Sequence, residues 1–313
     1  MHYWGPRIAL VLLGALIGGP NAISDETGIP QVVVSIAPLH SLVVGIMGSH
    51  GEPHLILRSN SSPHVCQLRP SQAAALAKAE LVVWVGSSLE GCLKGPIEQI
   101  ASHARVLEVA ALSDLHLLPA RPAGVWHETE HHHDDHKASD LRIDPHIWAR
   151  PSNAIRLAQH IANELTALDP ANGRFYVSNS EVLIGRIKTL DHEIALKLDP
   201  VADVPFIVFH DSTHYFVDRY GLNALGAVTV SPDHPASAHR LGRLRSIVKD
   251  SKVRCVFTEP QFSPSIALTL TENTGARLGV IDPLGSTIEP GPKAYLTTMN
   301  KLADAFVSCL SGH

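Results

Sequence analysis

The chain is poor in aromatic residues, at 5%, and carries little charge of either sign, 18% in all with a formal net charge of −5 over 313 residues. A nucleic-acid surface needs a basic face and stacking rings, and this balance supplies neither. No apolar run approaches the roughly 20 residues of a membrane-spanning helix. There is no GxSxG, no Walker loop and no GxGxxG after a strand-like run, so the usual signatures of serine hydrolases and nucleotide sites are missing. Cysteine is scarce, with four in the chain. At 45% apolar, the chain has the composition of an ordinary folded protein, long enough for two domains.

Residues 1–22 read as an export signal. Arg7 supplies the positive start, Ile8 to Ile17 an apolar run too short to span, and Gly18-Gly19-Pro20-Asn21-Ala22 a cleavage end. No cysteine lies near that end, which excludes a lipid anchor there. The mature protein is therefore expected to be soluble in an oxidising compartment, where an even cysteine count favours disulfides. Cys255 and Cys309 fall in the same half of the chain and are paired, a loop worth about 4 kcal/mol in the chain-entropy model. Cys66 and Cys92 are left either for each other or as two buried thiols.

Histidine is abundant, with 20 residues. The tract from His127 to His136 holds His127, His131, His132, His133 and His136 among acids, with no apolar residue. It reads as a loop, spanning 126–138, that binds metal weakly. Directly after it comes Asp144-Pro145-His146-Ile147-Trp148. Pro145 restricts its own φ and pushes Asp144 toward extended backbone, while Ile147 and Trp148 anchor the segment in a core. A histidine held in this way has a defined position, unlike those of the tract.

Hydrophobic periodicity places strands at 31–36, 55–57, 81–85 and 106–109, and again at 205–209, 225–230, 253–257 and 278–281, with helices between. The expected fold is α/β, with two lobes, each a four-stranded, mostly parallel sheet flanked by helices. Between them, Asp169-Pro170 opens a helix that nothing breaks before Leu198 except Gly185. At 1.5 Å per residue it is about 40 Å long and can join one lobe rigidly to the other. The division is 23–168 for the first lobe, 169–199 for the linking helix and 200–313 for the second lobe.

Ligands of open parallel sheets bind beyond the carboxyl ends of the strands. His64, His146, His210 and Asp282 all fall there. Three imidazoles with a carboxylate or water suit zinc. Asp144 and Asp211 adjoin two of these histidines, as carboxylates that orient ligand imidazoles often do. His214 takes a supporting role, and His234 lies in a loop. His40, His54, His103, His160, His192 and His239 read as structural.

In order along the chain stand Asn60-Ser61-Ser62-Pro63-His64 with Leu68-Arg69-Pro70-Ser71, Asp144-Pro145-His146-Ile147-Trp148, Phe209-His210-Asp211, Phe257-Thr258-Glu259-Pro260-Gln261-Phe262 and Asp282-Pro283-Leu284-Gly285. From about residue 31 to the end, this set resembles the periplasmic zinc-binding proteins that serve ABC-type zinc importers. The resemblance implies two lobes joined by a rigid helix, zinc in the cleft on His64, His146 and His210, delivery to a membrane permease, and a histidine-rich loop in the first lobe. It also implies a disulfide near the C-terminus, matching Cys255 and Cys309. Pro63 stands where some zinc-binding members have a carboxylate, so the fourth position falls to Asp282 or water. Val65-Cys66 replaces the more usual Asp-Tyr pair. Related manganese-binding members use two histidines and two carboxylates.

The expected function is capture of zinc (Zn2+) in the periplasm by a monomer that is not an enzyme. The rivals are a zinc hydrolase on the same histidines, with Glu259 or Asp211 as base, and a manganese- or iron-binding relative.

Overall fold

The structure, a computed structural model, describes residues 1–3, 28–58, 61–126, 142–229 and 237–312. The expected export signal beyond residue 3, the histidine tract after Trp126 and the expected loop holding His234 lie outside the described residues.

The first half builds a sheet from β1 (Val32–Val34), β2 (His54–Leu55), β3 (Leu81–Trp84) and β4 (Arg105–Glu108). The intervening helices are α1 (Ala37–Met47), α2 (Pro70–Leu76) and α3 (Gly91–Ile100). The order is β2-β1-β3-β4, with every pairing parallel. Every residue of β1 and β3 is buried, which is why both read as continuous apolar runs rather than alternating ones. Helix α1 starts at Ala37, with Pro38 in its first turn. Proline is tolerated there because the first-turn N–H groups have no intrahelical partner.

A short strand follows, β5 (Gly124–Val125), and then two helices, α4 (Pro151–Leu168) and α5 (Gly173–Leu198). Asp169 caps a 3-10 turn over Pro170–Asn172, accepting from the Asn172 backbone N–H, and α5 begins after it. Helix α5 has 26 residues, or about 39 Å. Its buried residues Leu183, Ile187, Leu190, Ile194 and Leu198 recur at three and four, so one stripe faces the core along its whole length.

The second half contributes β6 (Phe206–His210), α6 (His214–Tyr220), β7 (Ala224–Thr229), α7 (Ala238–Asp250), β8 (Cys255–Thr258), α8 (Ser265–Thr271), β9 (Arg277–Val280) and α9 (Ala294–Leu310). Four of these strands pair in parallel, in the order β7-β6-β8-β9. A fifth joins them: β5 from the first half of the chain pairs antiparallel with β7. The expected four-stranded second sheet is thus five-stranded. The added strand is two residues long and half-buried, too short to carry a periodic signal. Gly226 of β7 leaves room for it, since a side chain there would meet the Gly124 carbonyl at 2.2 Å.

The two halves share one hydrophobic core. Helix α9 packs on α1 and α5, and a single buried cluster runs from Val32 of β1 to Phe306 of α9. A second cluster, including Ile207, Val256 and Leu270, covers the other face of the second sheet. Such close packing leaves little freedom for the halves to move apart.

Candidate metal centre

Three imidazoles meet between the two sheets. His210 is the last residue of β6. His146 precedes the 3-10 turn Ile147–Ala149 that leads into α4. His64 lies in the segment between β2 and α2. Their ring centroids are 5.4 Å apart for His64 and His146, 5.0 Å for His64 and His210, and 4.9 Å for His146 and His210. One ligand nitrogen from each lies within 4.8 Å of the others. Trp148 fixes the approach of His146. It is fully buried, its Nε1–H donates to the Pro283 carbonyl at 2.9 Å, and its own carbonyl accepts from the Tyr295 hydroxyl at 3.0 Å. Both partners come from the second half, so this indole ties the His146 segment across the cleft.

Two of the imidazoles have a carboxylate behind them. The Nδ1 of His146 lies 2.8 Å from Oδ1 of Asp144, and the Nδ1 of His210 lies 3.2 Å from Oε1 of Glu259. A carboxylate accepts, so each Nδ1 carries the proton and each Nε2 keeps its lone pair for the cleft. The Nε2 atoms of His64 and His210 are buried and have no hydrogen-bond partner. Leaving a buried polar atom unpaired is costly, and a bound cation would remove that cost.

The charges around the cluster push these groups in different directions. Burial holds His64 well below its ordinary pKa, helped by repulsion from His210 and His146. Burial also pulls His210 down, but Glu259, supported by Asp211 and Asp144, outweighs it, so His210 ends above its ordinary value. Burial raises Asp144, while attraction to His146 and hydrogen bonds from His146 and His214 outweigh this and keep it below the usual carboxylate range. Asp144 therefore faces the site as an anion.

The remaining sequence candidates fall in distinct places. His214 does not join the three imidazoles; its Nδ1 lies 3.1 Å from Oδ2 of Asp144. Asp211 does not contact His210 through its carboxylate. It accepts from both Nε and Nη2 of Arg121, at 2.8 and 2.6 Å, and the Arg121 guanidinium sits 3.6 Å from the Trp126 ring centroid. Asp282 is outside the histidine group, and its Oδ2 accepts from the Ser286 backbone N–H and hydroxyl at 2.6 and 2.7 Å. Glu259, named in the sequence as the base of a rival hydrolase, is the partner of His210. Its place one residue past the end of β8, beside β6, was the available signal. Arg121 offered no such signal.

A family model described as zinc-uptake complex component A, periplasmic, matches residues 32–309. The high-affinity zinc uptake system protein ZnuA of Brucella suis is 36% identical over 328 residues, covering 97% of this chain and 98% of the relative. The protein of the same name from Yersinia pestis is 33% identical, covering 96% of each. A crystal structure of ZnuA superposes with a TM-score of 0.75 at 26% identity, over 89% of this chain and 98% of that one. The chain belongs to the ZnuA family.

As a ZnuA-family protein it is periplasmic, and no described helix is long and apolar enough to cross a membrane. Both cysteine pairs are bridged, Cys66 to Cys92 and Cys255 to Cys309, so the reading of Cys66 and Cys92 as free thiols does not hold. In this ZnuA-family chain the first bridge ends two residues from His64. The second joins the start of β8 to α9, at the end of β8 away from Glu259.

Proposed function

We propose that this chain captures zinc in the periplasm and passes it to an ABC permease, holding the ion on Nε2 of His64, His146 and His210. The observation that carries this reading is the pair of buried, unpartnered Nε2 atoms on His64 and His210, beside two imidazoles whose Nδ1 atoms are committed to carboxylates. An all-imidazole set favours zinc over manganese, which prefers oxygen donors. The fourth position is left to water, because Asp282 lies outside the group of three imidazoles and its Oδ2 is engaged by Ser286. Each copy carries all three imidazoles, so the protein works as a monomer. Lobes 23–168 and 200–313, linked through 169–199, hold the halves of the site at a nearly fixed spacing. His127, His131, His132, His133 and His136 bind further zinc weakly and raise its local concentration.

A zinc hydrolase is not favoured, because the Glu259 carboxylate that would act as base orients His210 and the Asp211 carboxylate is held by Arg121. The tract does contain the spacing His127-Glu128-Thr129-Glu130-His131. A metallopeptidase motif of that form works from a helix packed in a core, and this tract has no apolar residue to pack.

Zinc titration by calorimetry, on the mature protein and on a variant lacking His127 to Ala138, tests the reading. Trp126 is kept because Arg121 stacks on it. One tight site should survive the deletion while weaker sites vanish. Loss of the tight site with the tract would mean that the three histidines are not a self-sufficient site.

A further inference from the structure

Among the described residues, His64 is the one imidazole of the three without a carboxylate hydrogen bond to orient it. His146 has Asp144 and His210 has Glu259. His64 also lacks a regular element beneath it, since residues 61–69 form neither helix nor strand. The backbone bonds near it are local: His64 N–H donates to the Ser62 hydroxyl at 3.3 Å, and Val65 N–H to the Ser62 carbonyl at 3.3 Å. An imidazole on such a segment would sample many positions, and each added position lowers the affinity of a site that needs one.

The segment is nevertheless tied down. Two residues after His64, Cys66 is bonded to Cys92 in the first turn of α3. That helix is rigidly seated, with Leu93 and Ile97 buried in the main core. Cys66 and Leu68 pack against the same core from the other side of the bridge. We propose that the Cys66–Cys92 disulfide is the positioning device for His64, fixing by a covalent tie what Asp144 and Glu259 fix for the other two imidazoles by hydrogen bonds. The inference rests on the reading that His64, His146 and His210 hold zinc.

The molecule contains its own control. The Cys255–Cys309 bridge fastens β8 to α9 at the far end of the strand from the site. Opening it removes a crosslink of the same kind without touching a ligand segment.

The test is zinc affinity and release rate, read by competition with a chromophoric chelator, for Cys66→Ser/Cys92→Ser and Cys255→Ser/Cys309→Ser in the mature full chain. Cys66→Ala/Cys92→Ala is made alongside, because both positions pack on the core and a buried hydroxyl could unfold the serine form. Loss of a ligand-orienting partner usually weakens metal binding about 10- to 100-fold. That loss is expected for the first pair, mostly as faster release, with an unchanged circular dichroism spectrum. The second pair should lower the melting temperature and leave affinity within about twofold, the scatter of independent sites. In a His64→Ala background, removing the first bridge should add no further loss, because the bridge acts through His64. Wild-type affinity in both variants of the first pair would overturn the inference, as would an equal loss with and without His64. If the wild type binds no zinc tightly, or His64→Ala binds as the wild type does, the three-histidine site itself fails and the inference falls with it.

Discussion

Nδ1 of His210 lies 3.2 Å from Oε1 of Glu259, and both side chains are buried. One comes from the end of β6 and the other from just past the end of the neighbouring strand β8. The contact sets the imidazole tautomer and aims Nε2 into the cleft. Glu259→Ala should weaken zinc binding about 10- to 100-fold, measured by chelator competition. Glu259→Gln should lose less, since an amide oxygen still accepts from Nδ1–H. Equal affinity in Glu259→Ala and the wild type would remove the orienting role.

The same contact governs how protons compete with zinc. Ligand imidazoles must be neutral, so affinity falls as each gains a proton. His210 sits above its ordinary value of 6.5 and His64 well below it. Of these two, His210 gains a proton first as pH falls. Zinc affinity should therefore begin to drop at a pH above 6.5, while His64 resists protonation well into the acid range. Glu259→Gln removes the charge that raises His210, so the onset should move to lower pH in that variant. Titrations from pH 8 to 5 on both proteins check this, and coincident curves would count against it.

The reach of the sequence followed the length of each signal. The buried strands β1, β3, β6 and β8 and the stripe of α5 were legible because several apolar residues repeat the same instruction. Of the three histidines, only His210 stands at a strand end; His146 was marked by the Pro145 and Trp148 that flank it, and His64, on an irregular segment, by its place in the ordered motifs. Strand β5 was not, because its two residues form through pairing with β7, Gly124 with Ala227 and Val125 with Gly226, far away in sequence. Helix α6 was hidden in a run, His214-Tyr215-Phe216-Val217, whose residues are all buried and so show no helical period. Adjacency misled for Asp211. It neighbours His210 in sequence, but successive residues at a strand end point apart, and its carboxylate meets Arg121 instead.

Asp282 tests the fourth position. Its Oδ2 accepts from the Ser286 N–H and hydroxyl as a turn cap, while its Oδ1 is buried without a hydrogen-bond partner. Asp282→Ala should cost about 1–2 kcal/mol of stability, the usual effect of losing a cap or a charged hydrogen bond, seen as a lower urea midpoint. Zinc affinity of Asp282→Asn should remain close to wild type. A loss of tight binding in Asp282→Asn would make Asp282 a ligand and displace water from the fourth position.

Glu90 lies outside the site and gives the fold a pH dependence of its own. It is fully buried, accepting from the Ser35 hydroxyl at 2.5 Å and from the Gly86 N–H at 3.0 Å. Burial pushes its pKa up from 4.5 to about 7, against the pull of those hydrogen bonds. The folded state thus holds a proton that the unfolded state has already released between pH 4.5 and 7. Stability must fall with rising pH across that window, by about 3 kcal/mol for this group alone, and level off above it. Glu90→Gln cannot ionise, so its unfolding free energy relative to wild type should climb from pH 4.5 to 7 and then stay constant. Chemical denaturation of both proteins in a chelator cancels the titrations they share, the histidines of the metal site included. Parallel stability curves would mean that the Glu90 carboxyl is ionised in the fold despite its burial, with the hydrogen bonds from Ser35 and Gly86 strong enough to hold the charge.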